Sequence, residues 1–218
     1  MNVTMIKHHL TDDLLMGYAT GTLPEAVNLA VATHISMCDE CRAALDAYNA
    51  MGGSVVNGCE AVAMSSGSLN AALASIRTSQ LETPSQSARV SDPVLPAPLI
   101  DYVGGGIDAV KWTPVGMGVK QAILPTSRAA TARLLYIPSG VDVPDHGHRG
   151  IELTLVLQGA FRDEDDVFAR GDIEIATEAD EHTPVAEMGE DCICLAVTDA
   201  PLKFRGLLPR IAQPFLRI

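Results

Sequence analysis

The segment THISMCDEC, residues 33–41, places His34, Cys38 and Cys41 in an H-x3-C-x2-C spacing. Two residues between a pair of cysteines let both thiolates contact one ion. The histidine reaches the same ion if one helix ends and another begins between His34 and Cys38. Thiolates combined with imidazole favour zinc over harder cations. The spacing therefore predicts a structural zinc site at a junction between two helices.

A closed zinc site needs a fourth ligand, because structural sites are tetrahedral. His8 and His9, ahead of the first expected helix, are the other histidines in this half of the chain, and either one completes a His2Cys2 site. Two other interpretations stay open, a chance cluster and a redox-active C-x2-C pair, although the βαβ context of such redox motifs is absent here. A zinc ion can contribute on the order of 10 kcal/mol, which favours the metal in a helical unit too small to bury much surface.

The residues around this cluster have the pattern of short helices. The predicted helices run from Thr11 to Gly21, from Pro24–Glu25 to His34, from near Cys38 to Gly52–Gly53, and over residues 68–77. The last of them places Leu69, Leu73 and Ile76 on one face. The apolar positions of the first and fourth helices are candidate contacts for a partner, and core packing explains them equally well.

Residues 78–98 are rich in proline and serine and show neither helical nor alternating periodicity, so they are interpreted as a linker. Beyond them come short β-branched runs such as ARLLYIP, IELTLVLQGAF, DIEIAT and CICLAV, separated by glycine, proline and aspartate. These runs predict an antiparallel barrel or jelly roll. The predicted fold class is α plus all-β in two domains: a small helical zinc domain over residues 1–77, a linker over 78–98, and a β-barrel domain over 99–218.

A second group of possible ligands lies in the strand-rich half, where GVDVPDHGHRGIELTLVLQG contains His146, His148 and Glu152. Alternate residues of a strand share a face, so these three side chains point the same way if the strand continues. His182 is the remaining histidine of this half and would join them from a neighbouring strand. Imidazole with carboxylate suits zinc, manganese, iron or nickel. The competing interpretation is a set of exposed polar residues on a strand.

This second group resembles the metal-binding pattern of the cupin family. The first cupin motif is matched in full, whereas the second keeps Gly171 and His182 but has Thr177, Ala179 and Ala186 where many cupins have proline, glycine and asparagine. The resemblance implies a cupin barrel with His146, His148, Glu152 and His182 as metal ligands. The degenerate second motif argues against an enzyme, and no catalytic residue is predicted.

The N-terminal stretch HHLTDDLLMGYATGTLPEAVNLAVATHISMCDEC resembles the zinc-binding anti-sigma factors of the ChrR type, in which a short helical domain precedes a cupin. The resemblance implies that His9 is the fourth ligand beside His34, Cys38 and Cys41. It further implies that the helical domain binds an extracytoplasmic-function sigma factor, inserts between its two domains and masks the surfaces that bind RNA polymerase. The cupin would receive the signal, which the resemblance suggests is singlet oxygen or related oxidative stress.

The charge and cysteine content limit the possible partners and compartments. A net charge of −12 disfavours direct binding to nucleic acid and suits a basic protein partner, although an acidic surface also serves solubility alone. The sequence contains no run of 18 uncharged apolar residues, so no membrane span is predicted. The N-terminus does not resemble a signal peptide, and we therefore expect a cytoplasmic protein. Five cysteines, an odd number in a reducing compartment, indicate ligands or free thiols rather than disulfides.

The sequence thus predicts a two-domain regulator that is not an enzyme. One alternative is a metal-dependent cupin enzyme, a dioxygenase or isomerase, with the helical zinc module as its regulator. Another is a sensor whose partner is not a sigma factor. Cys192 and Cys194 share a face of one expected strand, where they are either small apolar residues of the barrel interior or a thiol pair that is oxidised with the signal.

Overall fold

The computed structural model describes residues 5–78, 91–143, 146–147, 149–200 and 203–204, and of residues 146, 181, 182, 203 and 204 it describes the backbone. Over these ranges the chain forms a helical part followed by an all-β part, which confirms the predicted fold class. A short 3-10 helix, Ile107–Ala109, connects the two. The helices are α1 (Asp12–Thr20), α2 (Glu25–Met37), α3 (Asp39–Asn57), α4 (Ser68–Thr78) and α5 (Ala97–Val103).

Local sequence explains where the first helices begin and end. Thr11 Oγ1 accepts a hydrogen bond from the Leu14 N–H at 3.4 Å and so caps α1. Gly21 ends α1 in the left-handed conformation, at φ +67°, which glycine adopts without a Cβ clash. Cys38 both ends α2 and caps α3, because its Sγ accepts the Cys41 N–H at 3.4 Å. The helix junction predicted between the histidine and the first cysteine is therefore present.

The prediction that the third helix ends at Gly52–Gly53 is wrong. Helix α3 continues to Asn57, and the Gly58 N–H still donates to the Ser54 carbonyl at 3.1 Å. An interior glycine costs only about 1 kcal/mol relative to alanine. That penalty is too small to stop a helix whose backbone hydrogen bonds continue on both sides.

Among the described residues, the strands form three antiparallel sheets. The largest has the order β1-β2-β3-β11-β5-β8, and the two smaller ones have the orders β10-β6-β7 and β12-β4-β9. The strands are β1 (Thr113–Gly116), β2 (Val119–Ile123), β3 (Thr131–Ile137), β4 (His146–Gly147), β5 (Glu152–Gln158), β6 (Ala160–Arg162), β7 (Val167–Ala169), β8 (Ile173–Ala176), β9 (Glu181–His182), β10 (Val185–Ala186), β11 (Cys192–Thr198) and β12 (Lys203–Phe204).

The two faces of the six-stranded sheet belong to two different cores. One face packs against the β10-β6-β7 sheet in a cluster that includes Val156, Phe161 and Phe168. The opposite face, with Leu155 and Leu195, joins the helices in one continuous hydrophobic cluster. Strand alternation produces this division, because successive side chains point to opposite faces.

Helix α2 lies at the centre of the molecule. It contacts α1, α3 and α5 as well as strands β3, β5 and β11 of the six-stranded sheet. Its sequence EAVNLAVATHISM is apolar on most sides, as expected of a helix covered all round. Its buried residues are Ala26, Val27, Leu29, Ala30, Val31, Thr33 and His34. The helical part and the β part therefore share one core through α2.

Residues 79–90 of the expected linker lie outside the described residues. In its remaining part, Val94 and Leu95 are buried in the core that includes α2, and α5 begins directly after Pro96. The Asp92 carboxylate fixes the path by which the chain enters the core. Its Oδ1 accepts the Val94 and Leu95 N–H groups at 2.8 and 2.7 Å, and its Oδ2 accepts the Ile107 N–H at 2.8 Å.

Replacing Asp92 with alanine is expected to lower the free energy of unfolding by about 1–3 kcal/mol, because three backbone donors lose their acceptor. Burial would raise the pKa of Asp92, but the three N–H groups and Arg170 outweigh it and hold the pKa below its ordinary value. The stabilising contribution is therefore present above the ordinary aspartate pKa and is lost as the pH falls through the lowered one. Denaturant unfolding at neutral and acidic pH measures both effects. The exposed neighbour Asp108→Ala is the matched control, and equal stability of the two variants would contradict the role of Asp92.

Candidate metal centre

Three helical elements bring His9, His34, Cys38 and Cys41 together. His9 stands just ahead of α1, His34 lies in the last turn of α2, and the two cysteines cap and open α3. One ligand atom from each of the four lies within 4.8 Å of the others. The group could hold a metal ion, with ligands that are far apart in sequence meeting at the point where the three helices join.

The distances within this group fit a tetrahedral ion. His9 Nδ1 lies 3.3 Å from Cys38 Sγ and 3.6 Å from Cys41 Sγ, and His34 Nε2 lies 3.3 Å from Cys41 Sγ. Nitrogen and sulfur ligands around tetrahedral zinc are separated by about 3.5 Å, given Zn–N and Zn–S bonds of about 2.0 and 2.3 Å. Both the spacing and the soft ligand set suit zinc.

Burial sets the protonation of these ligands. It lowers the pKa of His34 from 6.5 to about 4, with a further lowering from His9, so the ring is neutral and able to bind a metal at pH 7. Burial also raises the pKa of the Cys41 thiol to about 11. A bound cation would supply the charge that converts this thiol to a thiolate, and binding would therefore release protons.

The geometry distinguishes the two histidines of the HH pair. His9 faces the cysteines, and its other ring nitrogen, Nε2, lies 3.4 Å from Glu40 Oε2. A carboxylate behind a histidine ligand fixes the ring orientation. His8 turns the other way, with its ring 4.3 Å from the Phe168 ring and its Nε2 3.0 Å from Asp166 Oδ2. Glu40 lies inside the C-x2-C pair, yet this role was not predicted from the sequence.

The second predicted group is described in part. His148 lies outside the described residues, as do the side chains of His146 and His182. The backbone register places His146 directly opposite His182 across strands β4 and β9. Glu152 is buried at the start of β5. This register agrees with the expectation that His182 approaches from a neighbouring strand.

Two buried charged residues of the six-stranded sheet were not identified from the sequence. Arg133 on β3 and Glu174 on β8 lie in one row across the sheet, through Ala196 and Thr154. Burial lowers the pKa of Arg133, and the nearby Glu152 carboxylate partly offsets that effect. The available signal was the position of this arginine within ARLLYIP, where a charge interrupts an otherwise apolar strand.

Cys192 and Cys194 are both buried between the six-stranded sheet and the β10-β6-β7 sheet. The hydrogen bond with Cys192 and the burial raise the pKa of Cys194 well above its ordinary value. A protonated, inaccessible thiol reacts slowly with oxidants, so this environment favours a packing role over a reactive pair.

Along the part of the chain that the structure describes, no helix combines the length and the apolar character needed to cross a membrane.

Comparison with known proteins agrees with this arrangement. The model of the ChrR cupin-like domain family matches residues 103–201, which confirms the cupin prediction. The anti-sigma-E factor ChrR of Cereibacter sphaeroides is 59% identical over 213 residues, covering 98% of this chain and 99% of that protein. The crystal structure of Rhodobacter sphaeroides SigE in complex with the anti-sigma ChrR aligns with a TM-score of 0.78 and 57% identity, over 89% of this chain and 99% of that chain. With both its helical part and its cupin aligned over nearly their full length, the chain belongs to the ChrR family of anti-sigma factors.

Proposed function

We propose that this chain is an anti-sigma factor. Its helical residues 1–77 bind and inhibit an extracytoplasmic-function sigma factor, and its cupin, residues 99–218 beyond the linker 78–98, is required for release when a signal arrives. The observation that carries the proposal is the four-ligand group of the helical part in a chain that matches an anti-sigma factor almost from end to end. The related ChrR in the aligned structure is bound to SigE.

Exposed apolar side chains on α3 and on α4 support binding to a protein partner. They are Met51, Val55 and Val56 of α3 and Leu69, Leu73 and Ile76 of α4. None of the residues of α4 is buried, although its three apolar side chains lie on one face. An exposed apolar stripe such as the one along α4 is typical of an interaction site. Of the two helices considered from the sequence, α4 keeps this role, because Leu14 and Leu15 of α1 are buried in the core.

The metals have different roles in this proposal. Zinc on His9, His34, Cys38 and Cys41 ties α1 to the junction of α2 and α3 and so holds the helical part in shape. Zinc, or manganese, iron or nickel, on His146, His148, Glu152 and His182 would give the cupin a centre that a signal can oxidise or displace. The signal proposed is singlet oxygen or related oxidative stress. The chain acts in the cytoplasm and acts on transcription through the sigma factor, without contacting nucleic acid itself.

A reporter strain tests both halves of the proposal. The full-length chain and residues 1–77 are each expressed together with the sigma factor and a reporter gene whose promoter depends on that sigma factor. Singlet oxygen is then generated photochemically. Both are expected to repress, and only the full-length chain is expected to release the sigma factor. Truncation exposes the face of α2 that packs on β3, β5 and β11. Because this exposure can lower the amount of fragment in the cell, the levels of the two proteins are matched by immunoblot. A folded, zinc-loaded fragment that fails to bind the sigma factor, or one that still responds to the signal, would contradict the proposal.

A further inference from the structure

We propose that Asp172 of the cupin is a positioning residue for the N-terminal metal centre. The turn segment over residues 170–173, which joins β7 to β8, holds the backbone that leads into the ligand His9, so metal binding and docking of the cupin on the helices favour each other. This inference rests on the metal site of the proposed function and adds a physical connection between that site and the cupin.

Asp172 holds the segment that leads into His9. Its side chain is 2% exposed. Oδ1 accepts the Lys7 N–H at 2.6 Å and the His8 N–H at 3.0 Å, and Oδ2 accepts the N–H of Ala169, the last residue of β7, at 2.9 Å. In return, the Ile173 N–H donates to the His8 carbonyl at 3.3 Å. The backbone immediately before the metal ligand is therefore attached to the beginning of β8.

Gly171 lets the same turn approach two residues that lie close in sequence to the metal ligands, Ile6 and Met37. Its φ is +94°, and a Cβ at this position would lie 2.6 Å from Ile6 Cδ1 and 3.7 Å from Met37 Cε. Ile6 precedes His9, and Met37 lies between the other histidine ligand and the first cysteine. Glycine is the residue that permits this close approach.

His8 adds a side-chain contact to the same attachment. Its ring packs on Phe168 of β7, and its Nε2 reaches Asp166. The two cysteine ligands depend on a different element, since Cys38 caps α3 and accepts the Cys41 N–H. The ligands are thus held by different elements: α3 fixes the two thiols, α2 carries His34, and the cupin turn holds the segment that leads into His9.

Metal binding and docking of the cupin turn are thermodynamically linked. If docking of the turn places His9 better for the ion, binding of the ion strengthens docking by the same factor. Removing a direct hydrogen-bond partner of a metal ligand typically lowers metal affinity by about 10- to 100-fold. Asp172 acts on the residues just before the ligand His9, so the lower end of that range is expected. A cupin rearrangement that moves residues 170–173 would weaken the metal centre in the helical part.

The test measures metal affinity of the full-length chain alone, by competition with a chromogenic chelator. Asp172→Ala is expected to weaken zinc binding at the N-terminal centre by about 10-fold, the lower end of the range for direct partners of a ligand, with Asp172→Asn intermediate because one acceptor oxygen remains. Asp191→Ala is the matched cupin control. The Asp191 carboxylate also accepts hydrogen bonds, from Tyr136 and Ser139, so its loss destabilises the cupin without touching the turn.

A second pair of variants leaves the cupin unchanged. Lys7 is exposed, and Lys7→Pro removes the N–H that Asp172 accepts, whereas Lys7→Ala keeps it. Only the proline variant is expected to lose affinity. Cobalt substitution adds a spectroscopic readout, because a displaced histidine alters the visible absorption of the ion while a change in stability alone does not.

Hydrogen exchange tests the reciprocal effect. Removing the metal from the wild-type chain is expected to speed exchange at the Ile173 amide and to leave the amides of β3 unchanged. Wild-type affinity in both Asp172→Ala and Lys7→Pro, or unchanged exchange at Ile173, would overturn this inference and leave the proposed function standing. A wild-type chain that binds no metal at the N-terminal centre would overturn both.

Discussion

Replacing Cys41 with serine is expected to remove zinc from the helical part and to abolish binding of the sigma factor. Cys41 Sγ lies within 3.6 Å of both histidine ligand atoms, and its loss leaves an ion at this site with three of its four protein ligands. A structural zinc site contributes on the order of 10 kcal/mol, which exceeds what a few short helices recover from packing.

The structure also indicates which elements are affected by this substitution. Helix α2 remains packed on the six-stranded sheet, whereas α1 and α3 lose the ion that joins them. Circular dichroism should therefore report partial loss of helix, and hydrogen exchange should locate that loss in α1 and α3. Cys59→Ser is the control, since Cys59 is an exposed cysteine outside the metal group. A Cys41→Ser chain that kept full affinity for the sigma factor would contradict the role assigned to the ion.

Changing Leu69, Leu73 and Ile76 together to glutamine is expected to weaken binding of the sigma factor by at least about 100-fold, while zinc binding and unfolding remain those of the wild type. The three side chains are 71%, 39% and 67% exposed. Burying one such side chain in an interface stabilises it by roughly 1.5–3 kcal/mol, and about 2.7 kcal/mol corresponds to a factor of 100 in affinity.

Glutamine is chosen because it keeps helix propensity and adds no charge to an acidic chain. Ile123→Gln combined with Met188→Gln is the matched control, since both residues are exposed apolar residues of the cupin. Isothermal titration calorimetry with the purified sigma factor gives the affinities. Equal binding by the two variants would show that α4 lies outside the interface.

The metal group of the helical part was predictable because its signal is local. His34, Cys38 and Cys41 lie within eight positions, and a helix junction falls where the spacing requires it. The residues near His8 and His9 in the sequence do not indicate which of the two is the ligand. Both precede α1, and the distinction depends on Asp166 and Phe168 of the cupin, more than 150 residues away, which draw His8 in the other direction.

The position of α2 shows where local pattern is ambiguous. Its apolar residues fit an ordinary core helix, and nothing nearby in sequence indicates that a β-sheet covers one of its sides. The same limit applies to Val94 and Leu95. They stand in a proline-rich stretch that resembles a linker, yet they are buried because Asp92 turns the chain into the core. Long-range packing decided both cases.

The central claim is that the N-terminal metal centre is required for binding of the sigma factor. Native mass spectrometry of the full-length chain purified with its sigma factor tests it most directly, because it counts the ions and the subunits of a single complex. We predict a one-to-one complex in which the wild-type chain carries one zinc ion more than Cys41→Ser, and we predict that the variant is recovered without the sigma factor. A complex that persists in the variant with that ion missing would contradict the account.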